Sequence, residues 1–310
     1  MMLKKSKYLR ISVTNTCNLS CFYCHKEGNH SLDQNMLSPK EIQTLCRIGL
    51  AMRYEKFKLT GGEPTMRRDI CEIISRLAAL GLPDLSMITN GTTLADQAAD
   101  LWKAGLRRVN VTLNTLNPKR FQFIQGSGAV SVDAILEGIS AAKRVGFQNI
   151  KMNFVYFDDD SEKDLKELLN FSGECGCTLV VLPVLSKQSF YSLDFLYRKL
   201  QSYGIAKEEL IVDREGIRKR LIQMKSGAVA LLRMDELADR KPYVFCADCG
   251  DKEECREGIF PVRVSANGEL IPCMASLKHR ISIAHLLADP NEAAIRQAFS
   301  TIEGWCCPCE

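Results

Sequence analysis

From Tyr8 to about Ser186 the chain alternates between two periodicities, and this limits its fold more than any other feature. Short β-branched or apolar runs read as strands at Leu9–Thr14, Lys56–Thr60, Leu85–Thr89, Arg108–Leu113, Ile150–Tyr156 and Leu179–Leu185. The segments between them carry helix signals. Ser38-Pro39-Lys40-Glu41 is a capping box with proline at the first helical position, opening a helix to about Met52. Arg68–Leu80 is amphipathic and stops at Gly81, ahead of Pro83. Leu94–Lys103 ends at Gly105, Val132–Val145 ends at Gly146, and Ser161 with Asp164 opens a helix to about Glu174. Strands that alternate with helices pair in parallel through right-handed crossovers. The expected class is α/β, as a full or partial barrel or an open doubly wound sheet. In each case the loops at the carboxyl ends of the strands carry the chemistry.

After Leu185 the alternation stops. Residues 187–240 are rich in charge and read as mostly helical. From Lys241 the composition shifts to cysteine, glycine and proline, and Val262–Leu270 reads as a hairpin turning at Asn267-Gly268. The expected division is a core at 1–186, a helical linker at 187–240 and a cysteine-rich module at 241–310, with no internal repeats. Hydrophobic residues are 46% and charged residues 25%, which excludes a disordered or collagen-like chain. No apolar run approaches the roughly 18–20 residues of a membrane span. The charged start, Met1 to Arg10, is not followed by the apolar segment of a signal peptide, so a cytoplasmic location is expected. A net charge of +4 is too mild to argue for nucleic acid.

The chain has 14 cysteines. In a reducing compartment such a number points to metal or iron–sulfur ligation rather than to disulfides. Three are Cys17, Cys21 and Cys24, and seven lie between Cys246 and Cys309. Cys46, Cys71, Cys175 and Cys177 sit in apolar or helical contexts and read as small buried hydrophobes. Cys17, Cys21 and Cys24 form C-x3-C-x2-C directly after the first strand. Structural zinc wants four ligands, whereas three thiolates on a four-iron cubane leave one iron open to a small molecule.

Cys17-Asn18-Leu19-Ser20-Cys21-Phe22-Tyr23-Cys24 resembles the signature of the radical S-adenosylmethionine (SAM) enzymes. Thr60-Gly61-Gly62-Glu63-Pro64, Thr89-Asn90-Gly91 and Val111-Thr112-Leu113-Asn114, at the ends of the next three strands, resemble that family's SAM contacts. The resemblance implies a partial (β/α)6 barrel with a [4Fe–4S] cluster on Cys17, Cys21 and Cys24. SAM would chelate the open iron, and its one-electron cleavage would give a 5′-deoxyadenosyl radical that takes hydrogen from a substrate. It also implies that Tyr23 lies near the adenine and that Gly61, Gly62, Glu63 and Pro64 hold the methionine amino group. Thr89, Asn90, Thr112 and Asn114 would complete the SAM contacts. A glycine loop lets backbone approach a ligand, and a carboxylate pairs with an ammonium. A flavodoxin or ferredoxin is the expected reductant. A plain electron carrier has no use for these loops.

Within the family the likeness is greatest to the GTP 3′,8-cyclases of molybdenum-cofactor synthesis. Arg10, Lys58, Thr89, Lys151 and Arg263 match positions that bind GTP there. Pro261 stands where that family has a further arginine, and the chain ends Cys306-Cys307-Pro308-Cys309-Glu310 instead of in Gly-Gly. These departures predict a reaction other than GTP cyclisation, on another small molecule or on a peptide. Peptide maturation by oxidation, crosslinking or epimerisation, and GTP cyclisation itself, are the alternatives. Arg10, Lys58 and Lys151 would otherwise serve the fold or SAM. Cys246-Ala247-Asp248-Cys249 and Cys273 resemble the cyclase's second cluster site, with Cys255 inserted between. Cys255, Cys273 and the Cys306–Cys309 pair also resemble twitch or SPASM modules. The resemblance thus implies at least one auxiliary [4Fe–4S] cluster drawing on Cys246, Cys249, Cys255, Cys273, Cys306 and Cys309. It would bind substrate, carry electrons or brace the module.

Overall fold

The capping box forms as the sequence requires. Ser38 Oγ accepts the Glu41 backbone N–H at 3.3 Å, and the Glu41 carboxylate accepts the Ser38 N–H at 2.7 Å, starting α1 (Pro39–Ala51). The computed structural model describes residues 7–28, 35–126, 130–184, 191–212, 218–234, 244–250, 262–274 and 278–305. Among these run, in chain order, β1 (Lys7–Ser12), α1, β2 (Tyr54–Thr60), α2 (Ile70–Ala78), β3 (Leu85–Thr89), α3 (Leu94–Lys103), β4 (Val109–Thr112), α4 (Pro118–Gln125) and α5 (Val132–Val145). There follow β5 (Lys151–Tyr156), α6 (Ser161–Cys175), β6 (Thr178–Pro183), α7 (Leu193–Ser202), β7 (Ile205–Val212), β8 (Arg218–Met224) and β9 (Val229–Arg233). The last are β10 (Val262–Val264), β11 (Glu269–Ile271), β12 (Ile281–Ser282), α8 (Ala284–Ala288) and α9 (Glu292–Trp305). Among the described residues no helix is long and apolar enough to cross a membrane.

The chain forms two compact units. One holds Met1–Thr16, His25–Ser86 and Leu237–Glu310; the other holds Cys17–Cys24 and Met87–Glu236. In the first unit β1 pairs in parallel with β2 on one side and with β10 on the other, and β10, β11 and β12 continue as an antiparallel ribbon. Leu9, Ile11, Phe57 and Leu59 lie fully buried, as do Ile42, Leu45, Cys46 and Ile48 of α1 and Ile73, Ile74 and Leu77 of α2. Each such side chain contributes about 1.5–3 kcal/mol on leaving water. In the second unit β3, β4, β5 and β6 pair in parallel, β9 adds in parallel to β6, and β8 and β7 follow antiparallel. The α/β class and the parallel strand–helix alternation are therefore as expected.

Two expectations are corrected. The segment 187–240 is not a helical linker: within its described residues only Leu193–Ser202 is helical, and β7, β8 and β9 form a meander on β6. At the end of β8, Ile222, Gln223 and Met224 run buried, exposed, buried, which suits a strand with one face in water. Nor is the cysteine-rich end a module of its own. The hairpin at Asn267-Gly268 is present, but β10 pairs with β1 over Leu9, Arg10 and Ile11, so this segment belongs to the first unit.

Candidate active site

In the second unit the cysteine loop is fastened to α4, a helix the sequence reading passed over. Asn117 caps it by accepting the N–H groups of Lys119 and Arg120. Its last turn receives the loop: Ser20 N–H donates to Gln125 O at 2.9 Å, and Phe22 N–H to Ile124 O at 3.3 Å. Gly126 closes the helix at φ +61, where a Cβ would come within 2.9 Å of Ser20 O. Cys21 Sγ donates to Gln125 Oε1 at 3.1 Å, and Leu19 N–H points at Cys17 Sγ at 3.4 Å. Cys17 and Cys24 are exposed and Cys21 is half-buried. Burial, then Cys24 and Cys17, raise the Cys21 thiol to about 12. A metal centre that binds this loop would take Cys21 as its thiolate, so binding would release its proton.

Among the described residues no group of three His, Cys, Asp or Glu side chains is arranged to hold a metal ion. A four-iron cluster makes a different demand, since each thiolate sits on its own iron. The donor chemistry of Cys17, Cys21 and Cys24 fits that cluster.

Asn90, expected among the SAM contacts, braces the same loop. Its amide N–H donates to Asn18 Oδ1 at 2.8 Å and lies 4.0 Å from Cys17 Sγ, while its carbonyl accepts from Thr92 N and Oγ1. Thr89 is buried and accepts Gly91 N–H at 2.9 Å. Asn114 donates to the Tyr23 phenol at 2.5 Å and accepts Val155 N–H at 2.8 Å. Tyr23 stacks on Phe157, with ring centroids 5.9 Å apart. Thr112, half-buried, ends β4, and Lys151 starts β5 on the face it shares with Asn153 and Val155. Asn18, Gln125 and Phe157 carried no sequence signal, because each meets partners distant in the chain, and Thr92 gains its role from Asn18, 74 positions away.

In the first unit the glycines of Gly61-Gly62-Glu63-Pro64 make room for the chain itself. A Cβ on Gly61 would stand 2.3 Å from Thr14 O, and one on Gly62 would stand 2.2 Å from Thr16 O. Gly62 N–H donates to Thr14 O and Glu63 N–H to Thr16 O, both at 2.8 Å. Thr16 directly precedes Cys17. The buried Glu63 carboxylate accepts Thr65 N–H at 3.0 Å and Thr65 Oγ1 at 2.6 Å, capping a 3-10 turn that starts at Pro64.

The same unit lines up three of the expected substrate residues. Arg10 faces Arg263 on one neighbouring strand and Lys58 on the other, so the cations form a row across β10, β1 and β2. Like charges side by side in a sheet repel. Glu27, which the sequence reading did not single out, lies among them. Both its oxygens accept from Arg10 Nη1 at 3.0 Å, Thr60 Oγ1 donates to it at 3.1 Å, and Arg263 Nε lies 3.5 Å away. Burial alone would raise the Glu27 carboxyl. Arg10, with His25 and Arg263, outweighs this and lowers it to about 2. Arg10 Nε also donates to Tyr8 Oη at 3.2 Å, and the Lys58 ammonium lies 6.0 Å from the Tyr8 ring centre.

Of the cysteines expected to hold an auxiliary cluster, Cys246 and Cys249 are half-buried in one turn, with Cys249 N–H donating to Cys246 O at 3.3 Å, and Cys273 is buried after β11. Phe245 stacks on His279 at 4.3 Å. Cys255, Cys306 and Cys309 lie outside the described residues, as does Pro261.

The sequence profile of the radical SAM superfamily matches residues 11–172. A probable GTP 3′,8-cyclase of Pyrococcus horikoshii is 33% identical over 290 residues, covering 90% of each chain. One of Metallosphaera sedula is 34% identical over 290 residues, covering 91% of this chain and 85% of its own. Among solved structures, Streptococcus suis SuiB bound to its precursor peptide SuiA matches 94% of this chain and 67% of its own, with a TM-score of 0.64 at 20% identity. At that identity the likeness shows the fold, which is that of the radical SAM enzymes. The chain belongs to the radical SAM superfamily of enzymes, and within it to the family of these archaeal relatives.

Proposed function

We propose that this enzyme uses SAM to take a hydrogen atom from a phosphorylated small molecule, and that the row Arg263–Arg10–Lys58 anchors the phosphate groups. The register carrying that row is the observation behind the reading. Cations held side by side and largely out of water need anions, and several converging charge-assisted bonds bind phosphate oxygens strongly. Cys17, Cys21 and Cys24 would hold the [4Fe–4S] cluster; Glu63, Asn114 and Tyr23 would contact SAM. When bound, cluster and SAM supply a one-electron cleavage that yields a 5′-deoxyadenosyl radical. The chain's own part is to orient the cluster loop through Asn90, Asn18 and Gln125, and to place the substrate by its charge. Cys246, Cys249 and Cys273, with Cys255, Cys306 and Cys309, would hold an auxiliary cluster, and a flavodoxin or ferredoxin would supply electrons.

A second reading takes GTP itself as the substrate. It is supported by the match to the probable cyclases, which runs over 90% of both chains in the Pyrococcus case. The expectation against GTP then rests on Pro261. The assay is anaerobic, with reconstituted protein, SAM, dithionite and a panel of phosphorylated compounds including GTP. Increased 5′-deoxyadenosine with a phosphorylated compound supports the anion reading, and a 3′,8-cyclised nucleotide establishes the cyclase. No response to any phosphorylated compound rejects both.

A further inference from the structure

The row of cations already contains an anion, and the chain takes trouble to put it there. Glu27 comes from a turn in which Lys26 and Glu27 both hold positive φ, 48° and 53°, a conformation costly for residues with a Cβ. The turn is braced on every side. Gly28 N–H donates to His25 O at 2.9 Å, and Arg280 Nη2 donates to Gly28 O at 2.6 Å. Gly28 lies so close to Met274 that a Cβ would come within 2.8 Å of its Cα. A carboxylate delivered at this cost reaches Arg10, Arg263 and Thr60 together. Arg10, Lys58 and Arg263 carry three positive charges, and Glu27 returns one negative charge to the same place.

We propose that Glu27 is a specificity-determining residue, a built-in counter-anion that cancels part of the charge of the Arg263–Arg10–Lys58 row and so sets how much negative charge the row accepts from a substrate. The inference rests on the reading of that row as an anion site. It has a sign that a purely structural role lacks. A carboxylate that only braces the arginines should, when removed, weaken anion binding by disordering them. A counter-anion should, when neutralised, strengthen it, because its repulsion of the incoming phosphates disappears.

The test measures binding of inorganic triphosphate to the reconstituted protein by calorimetry at low ionic strength. Glu27→Gln is expected to bind about tenfold tighter than the unaltered protein, and Arg10→Ala more weakly. Glu27→Asp draws the charge back by one methylene and should tighten binding in the same direction, by about threefold; it decides the matter if Glu27→Gln does not fold. Equal or weaker binding by the folded Glu27 variants, with Arg10→Ala still weakening it, overturns the counter-anion while leaving the anion site standing. No triphosphate binding by the unaltered protein or by any Glu27 variant overturns both.

Discussion

The strands of the two units bury different polar chemistry. In the first unit Arg10 and Arg263 meet at Glu27, and Tyr8 lies against Arg10 and Lys58, so ionic and cation–ring contacts dominate. In the second, Asn110 donates to Asn153 at 3.4 Å and Asn114 joins Tyr23 to Val155, so these ties are neutral amides and hydroxyls, with Lys151 adding a cation to that face. A charged face grips a polyanion strongly and from several directions. A face of amides selects by donor and acceptor geometry, with each bond contributing about 1 kcal/mol.

The largest expected effect bears on both faces at once. Replacing Cys17, Cys21 and Cys24 together with alanine should abolish SAM cleavage and remove about four irons per chain, read by iron analysis and 5′-deoxyadenosine formation. SAM cleavage that survives the triple change would detach both faces from radical chemistry. Next, Arg10→Ala should weaken triphosphate binding about ten- to a hundredfold, the worth of a hydrogen bond to a charged group. Asn153→Ala should change it by less than about twofold. Calorimetry on the pair checks this, and equal losses would erase the contrast. Glu63→Gln should weaken SAM binding by about tenfold with iron content unchanged. The amide oxygen can still accept from Thr65, so the turn survives while the charge is lost. A smaller loss of SAM affinity is expected from Asn114→Ala, which removes the bonds to Tyr23 and Val155. SAM affinity should fall by about fivefold, and triphosphate affinity should not move. A change in triphosphate affinity there would show the faces to be less separate than their chemistry.

The parts of the fold set by local pattern were legible in the chain. The strand at Leu85–Thr89 and the helices Leu94–Lys103 and Val132–Val145 fall where periodicity and terminal glycines place them. The helix Pro118–Gln125 was missed because Leu113-Asn114-Thr115-Leu116-Asn117 looks like loop, although Asn117-Pro118 is a good start signal. The meander from Ile205 to Arg233 was missed because its many charges read as helix surface, and only Ile222-Gln223-Met224 alternates as a strand should. Its turn at Ser226-Gly227, with Gly227 at φ +89, was the available clue. The site shows the same division. The cysteine spacing and the glycine loop are local and can be read directly. The row of cations depends on a register between strands some 250 positions apart, Arg10 opposite Arg263, and no local pattern encodes it. Glu27 gains its meaning only from that register.

The close approach at Gly62 bears on how mutational scans of this protein should be read. Nearly every position of a ligand-binding motif is expected to report on the ligand, so a dead variant is taken as lost affinity. At Gly62 any side chain collides first with the Thr16 carbonyl, one residue before Cys17. Inactivity of Gly62→Ala would therefore say nothing about SAM. It would be a shift of the segment that leads into Cys17, and under the role proposed for Cys17 it should be grouped in a scan with failures of iron loading rather than with failures of recognition.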